Sequence, residues 1–190
     1  DKKVRYIYND YPNTLYQGTA RVKDGHFEYT FMTPKDIRYN FGKGRITYYA
    51  LDSLNGEGIG QFEDFVVGGS AAVAIVDSIG PNLDIYLNSR SFVNGDKTTE
   101  QPHFFAELYD EHGINTVGSG IGHDLMLTID SDPNKMFVLN DYYASSGSFQ
   151  SGLVSYQLSE LEEGQHTLTF RAWDLLNNSS TKALSFEVVK

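Results

Sequence analysis

Three side chains stand out for the chemistry they could perform together: Asp110, His123 and Asp174. Two carboxylates and an imidazole can tie down loop amides, hold a cation, or serve a hydroxyl nucleophile. Each extends a run whose alternation buries every second side chain. Phe104, Ala106 and Leu108 alternate with Phe105, Glu107 and Tyr109, and Asp110 keeps the inward parity. Leu168, Phe170 and Ala172 lead to Asp174 in the same way, and His123 shares the parity of Leu125, Leu127 and Ile129. The stretch Asp110–Asp124 reads DEHGINTVGSGIGHD and lies between two of these runs. Polar residues in core parity at the rim of a sheet direct attention to one end of one domain.

Three chemistries compete for that end. The first is a structural cap of Asp110, His123 and Asp174, in which carboxylates accept loop N–H groups that would otherwise be orphaned. The second is a calcium site using Asp110, Asp174 and a loop carbonyl, although no EF-hand spacing is present. The third is a Ser–His–Asp hydrolase built on Ser119 or Ser179, against which stands the lack of a nucleophile elbow or oxyanion loop. The five histidines include no His-x-x-x-His pair, so a zinc site is not expected. The cap is the preferred reading, and no cofactor is required by it.

The elements that must position these residues read as all-β. Tyr 13 and Phe 12 with Gly 18 favour pleated strands and turns over helices. Seven strands are expected at 83–87, 103–109, 123–130, 136–139, 153–158, 166–173 and 183–189, the spacing of an immunoglobulin-like β-sandwich. Three loops, 110–122, 140–152 and 174–182, should gather at one end of it. Earlier in the chain, strands at 19–22 and 26–31 flank the turn Lys23-Asp24-Gly25, with Phe27, Tyr29 and Phe31 facing inward. Further strands are expected at 45–51 and 61–67, and another at 4–8. The boundary falls near Gly68-Gly69-Ser70, giving a small unit over 1–70, read as missing upstream strands, and a complete seven-stranded sandwich over 71–190.

Composition narrows the partners. A formal charge of -10 leaves no basic stripe for nucleic acid or an anionic membrane. No apolar run is long enough for membrane insertion. Cysteine is absent, which removes disulfides, thiolate metal sites and any Cys nucleophile from this stretch. The chain opens on Asp1-Lys2-Lys3 without an initiator Met or a signal peptide, and reads as an excised piece of something longer. Outer-face Phe105, Tyr109, Arg171 and Trp173 offer a contact surface, with Trp173 read either as an aromatic under a loop or as a partner anchor. Tyr48-Tyr49 and Tyr142-Tyr143 offer sugar-stacking rings, although one Tyr of each pair must face inward.

Several segments carry a resemblance to a known family. They are Gly18–Phe31, Pro34–Ile37, Val67-Gly68-Gly69, Asp110–Asp124 (with GINTVGSGIGHD), Val138–Tyr143 (VLNDYY) and Ala172–Ser180 (AWDLLNNSS). Together they resemble the region after the protease domain in the gingipain-like signal peptidase, or sortase, of the type IX secretion system, the PorU-like family of Bacteroidetes. The resemblance implies a parent cysteine endopeptidase, attached to the outer membrane at the extracellular surface, that removes the C-terminal sorting signal of secreted cargo. It implies that the catalytic Cys and His lie upstream, so no catalytic residue falls here and this stretch is not itself an enzyme. It further implies a supporting and interacting role toward the upstream protease domain of the same chain, secretion-system components or cargo. The alternative is a carbohydrate-binding or adhesive surface module. Asp52-Ser53-Leu54 and Asp77-Ser78-Ile79 look like the O-glycosylation pattern of exported Bacteroides proteins.

Overall fold

The computed structural model describes residues 14–35, 37, 41–52, 54, 56–117 and 122–190. The strand expected at 4–8 lies outside the described residues. The chain divides into two compact units, one holding Ile37–Ile75 and the other uniting Leu15–Asp36 with Val76–Lys190. Apart from a three-residue 3-10 turn at Asn140–Tyr142, the regular structure of the described residues is all-β.

The first unit consists of two antiparallel ribbons. Strand β1 (Gly42–Lys43) pairs with β4 (Val66–Val67), and β2 (Ile46–Asp52) pairs with β3 (Gly56–Phe62), with Ile46 opposite Phe62. The expected strand at 61–67 is thus split, its first residues closing β3 and its last forming β4. Tyr49 donates its hydroxyl to Glu57 Oε2 at 2.6 Å across the larger ribbon.

The segment Leu15–Asp36 belongs to the second unit. Its expected turn is present: Lys23 and His26 exchange backbone hydrogen bonds at 2.9 and 3.0 Å, with Asp24 and Gly25 at φ 51° and 77°. The strands expected on either side, at 19–22 and 26–31, do not form a ladder beyond that bridge. Phe27 and Phe31, expected to face a core, are exposed, and the rings of Tyr29 and Phe31 pack on Tyr16 instead. A lone hairpin without a third strand or a covering element is marginal, so local alternation was not enough. Further on, Lys35 N–H donates to the Leu175 carbonyl at 2.9 Å.

The rest of the second unit is two sheets around one core. The first sheet orders β10 (Tyr143–Ser148), β11 (Ser151–Gln157), β7 (His103–Tyr109) and β5 (Asn82–Leu87), all antiparallel. The second orders β6 (Lys97–Thr98), β13 (Ser179–Val188), β12 (Gly164–Trp173), β8 (Met126–Ile129) and β9 (Met136–Val138). Within it, β6 runs parallel to β13 and the other pairs are antiparallel. Phe104 on one sheet meets Phe170 on the other at 5.3 Å between ring centres, and both are fully buried. Each of the seven strands expected here is present, within a few residues at its ends. Two were not foreseen: β6, and β10, which occupies much of the loop expected at 140–152. Its Ser- and Gly-rich sequence reads as loop, but a tight turn folds it onto β11, where ladder hydrogen bonds override propensity.

At the start of β12, away from the three loops, His166 is buried between two oxygens. Its Nδ1 lies 2.7 Å from Asp130 Oδ2 and its Nε2 2.8 Å from the Glu162 carbonyl. Asp130 Oδ1 accepts the Thr167 N–H at 2.9 Å. Burial pushes the Asp130 carboxyl up, but the Thr167 N–H, His166 and Lys135 together hold it below the ordinary carboxylate range. A depressed folded-state value means stability that is present above the unfolded carboxylate range and lost as pH falls through the folded value. Melting temperature is therefore expected to fall on acidification from about pH 5 toward pH 2, less steeply in Asp130→Asn. Identical acid limbs in the two proteins would remove Asp130 from the account.

Candidate functional site at the loop end

Strand parity delivers Asp110 and Asp174 as expected. In β7 the buried residues are Phe104, Ala106 and Leu108, and Asp110 follows at 6% exposure. In β12 they are His166, Leu168, Phe170 and Ala172, and Asp174 follows fully buried. Asp174 Oδ1 accepts the N–H groups of Leu176 (2.9 Å) and Asn178 (2.7 Å), while Oδ2 accepts the Asn178 side-chain amide (2.7 Å). Both of its oxygens are therefore engaged by its own turn.

Asp110 is arranged differently. Its Oδ1 accepts the N–H groups of His112 (2.7 Å) and Gly113 (3.1 Å), and its Oδ2 has no hydrogen-bond partner among the described residues. Burial first, and then the charges of Asp174 and Asp77, raise its carboxyl above the ordinary range against the pull of those two N–H groups.

Backbone bonds knit the surrounding loops. Ile114 and Asp174 form an isolated antiparallel bridge, flanked by Asn115 N–H to Trp173 O (2.8 Å) and Leu175 N–H to Gly113 O (3.0 Å). The turn between β10 and β11 joins them, with Ile114 N–H donating to Phe149 O (3.1 Å) and Asp110 N–H to Gln150 O (2.8 Å). Asn140 adds a side-chain bridge, accepting from Leu125 N–H and donating to Thr116 O.

His123 is not brought to the two aspartates. Its ring lies 4.2 Å from the ring of Trp173, on the outer side of the second sheet, beside the Arg171 guanidinium at 5.6 Å from the Trp173 ring centre. Strand β8 begins only at Met126, so two-residue parity does not carry back to His123. Ser119 lies outside the described residues, and Ser179 is exposed, paired across from Trp173. The proposed contact surface is divided. Phe105 and Tyr109 face outward from the first sheet, Arg171 and Trp173 from the second, so the four do not form one patch. Of the tyrosine pairs, Tyr49 and Tyr142 are exposed, while burial raises the phenol of Tyr143, packed against Gly152.

Two residues here were missed from the sequence, Asp77 and His112. His112 Nδ1 lies 2.8 Å from Asp77 Oδ2, and Asp77 Oδ1 accepts the Ile79 N–H at 3.0 Å. The Ile79 N–H, foremost, together with His112, holds the Asp77 carboxyl below the ordinary range against the effect of burial. Asp52 Oδ1 accepts the Leu54 N–H at 2.9 Å in the same way, an aspartate side chain taking the amide two residues on. Asp77, Asp110 and His112 line one cleft of about 190 Å³. The signal that could have found the pair is the Asp-Ser-Ile turn facing a His in the DEHG step, which no local period links.

No family model and no curated protein matches the chain. Among solved structures, dimeric latent PorU from Porphyromonas gingivalis aligns with a TM-score of 0.60 at 38% identity, over 97% of this chain. The chain spans 17% of the length of that one. An endo-beta-1,4-mannanase from Thermotoga petrophila aligns with a TM-score of 0.39 at 10% identity, over 57% of this chain and 20% of that one, too distant to bear on fold or function. The agreement with PorU covers nearly the whole of this chain, and by it the chain belongs to the PorU-like family, as a type IX secretion region matching a limited part of a longer protein.

Proposed function

We propose that this region is a non-catalytic accessory part of a cell-surface, gingipain-like type IX secretion peptidase. Its two β units support the catalytic domain of the same polypeptide and present loops to secreted cargo or to secretion-system components at the outer membrane. One observation carries the reading: a stretch 38% identical to part of PorU contains no cysteine at all. A thiolate nucleophile cannot be assembled from it. The charge of -10 also suits a partner other than nucleic acid or an anionic bilayer. No helix among the described residues is long and apolar enough to cross a membrane.

The purified chain is expected to leave a peptide bearing a C-terminal sorting signal uncut over hours. In the parent protein, deleting 71–190 should impair cargo maturation although the catalytic cysteine is retained. Hydrolysis by the pure chain, or normal maturation after the deletion, would overturn the proposal. A sugar-binding module is the second reading, supported by the exposed rings of Tyr49 and Tyr142. Saturable binding on a glycan array, abolished by Tyr49→Ala or Tyr142→Ala, would favour it instead.

A further inference from the structure

We propose that Asn115, Arg171 and Trp173 form a binding site for a carboxylate group, on the outer side of the second sheet. Each carries a buried N–H without an acceptor among the described residues: Asn115 Nδ2, Arg171 Nε and Trp173 Nε1. Arg171 and Trp173 are neighbours on one face of β12, with the guanidinium 5.6 Å from the ring centre. Asn115 joins them by register. Ile114 bridges Asp174 and faces the core with it, while the Asn115 N–H donates to the Trp173 carbonyl at 2.8 Å. Asn115 therefore takes the outward side that Trp173 takes. It is fully buried, and the Val117 N–H on its Oδ1 at 3.3 Å leaves the amide nitrogen as the end without a partner. Buried N–H groups are nearly always matched by an acceptor, and three orphans on one face call for an acceptor from outside the chain.

The donors select the ligand. All three offer protons and one carries a full positive charge, so the complement is an anionic oxygen. No carboxylate among the described residues pairs with Arg171, whose Nη2 reaches only the Gly122 carbonyl, at 3.4 Å. The Nε edge of a guanidinium is the side that, with one Nη, grips two oxygens of a single group. One positive charge in a chain of net charge -10 favours a monoanion over a doubly charged phosphate. The carboxylate is that of a peptide, at its chain terminus or on an Asp or Glu side chain. The His123 ring, 4.2 Å from that of Trp173, walls the same patch. Arg171 and Trp173 stay partly exposed, so the donors lie just beneath the surface of the sheet.

The test uses the whole 190-residue chain, whose single tryptophan reports on the site directly. Sodium acetate replacing sodium chloride at constant ionic strength is expected to shift the Trp173 emission saturably and to move its indole N–H resonance downfield. Two short peptides identify the source, one with a free C-terminal carboxylate and no acidic side chain, the other amidated at its C-terminus and carrying one Glu. Saturable binding of either supports the site. Arg171→Lys keeps the charge but loses the Nε–H, and it should weaken acetate binding at least tenfold with unchanged circular dichroism. Asn115→Leu removes another donor and should weaken binding likewise; if one variant fails to fold, the other carries the test. No saturable change with acetate or either peptide, wild-type affinity in a folded variant, or phosphate binding tenfold tighter than acetate would each overturn the site. None of these outcomes bears on whether the chain hydrolyses peptides.

Discussion

Replacing Asp174 by Ala is expected to cost about 3–5 kcal/mol, enough to consume much of the stability of an ordinary domain. The residue is fully buried, and three donors within 2.9 Å converge on its carboxylate. Alanine leaves the N–H groups of Leu176 and Asn178 and the Asn178 amide without their acceptor, in a turn where water has poor access. The damage should spread, because Leu175 and Asn115 hold the neighbouring loop through backbone bonds on either side of Asp174. Asp174→Asn retains one acceptor oxygen and should lose less. Asp110→Ala, which removes the acceptor of two N–H groups, should cost about 1–3 kcal/mol. Urea unfolding of the three variants ranks them directly. An Asp174→Ala midpoint equal to that of the wild type would mean that the turn is held by its backbone alone.

Gly113→Ala is the second large effect expected, about 2–4 kcal/mol, from two separable causes. Gly113 stands at φ 102°, a conformation that side-chain-bearing residues rarely adopt. A Cβ there would also lie 2.5 Å from Phe149 Cδ2 and 2.9 Å from Leu175 Cδ1. Its N–H donates to Asp110 Oδ1 and its carbonyl accepts from Leu175, so the residue cannot move aside without loosening two loops. The double variant Gly113→Ala/Phe149→Ala tests the division. Relief of the clash should make it less destabilised than the sum of the single changes, while the backbone strain persists. Strict additivity would show that Phe149 already has room to yield.

The caps explain why long loops rich in Gly, Ser and Asn keep one shape at the end of the second unit. A loop end of fixed shape is what an accessory region needs if it is to present a surface to a partner, as proposed above. The contact of Asp77 with His112 lies within that same end and ties the segment before β5 to the loop after β7.

The sequence by itself determined whatever a two-residue period can express. Alternation in 103–109 and 166–173 placed Phe104, Ala106, Leu108, Leu168, Phe170 and Ala172 in the core, and the same parity put Asp110 and Asp174 at its rim. The Lys23-Asp24-Gly25 turn and the lack of a cysteine nucleophile were equally legible, the first from local φ requirements and the second from composition. Tertiary structure alone decided what depends on pairing across distance. Strand β10 exists because β11 supplies its hydrogen bonds, although its own residues favour a loop. Phe27 and Phe31 alternate correctly, yet no covering element buries them. His123 left its expected place for the Trp173 ring because strand geometry ends before it. Asp77 reaches His112 across 35 residues of chain, a meeting that no period encodes, since local rules set which face a side chain takes and only the folded path sets which faces meet.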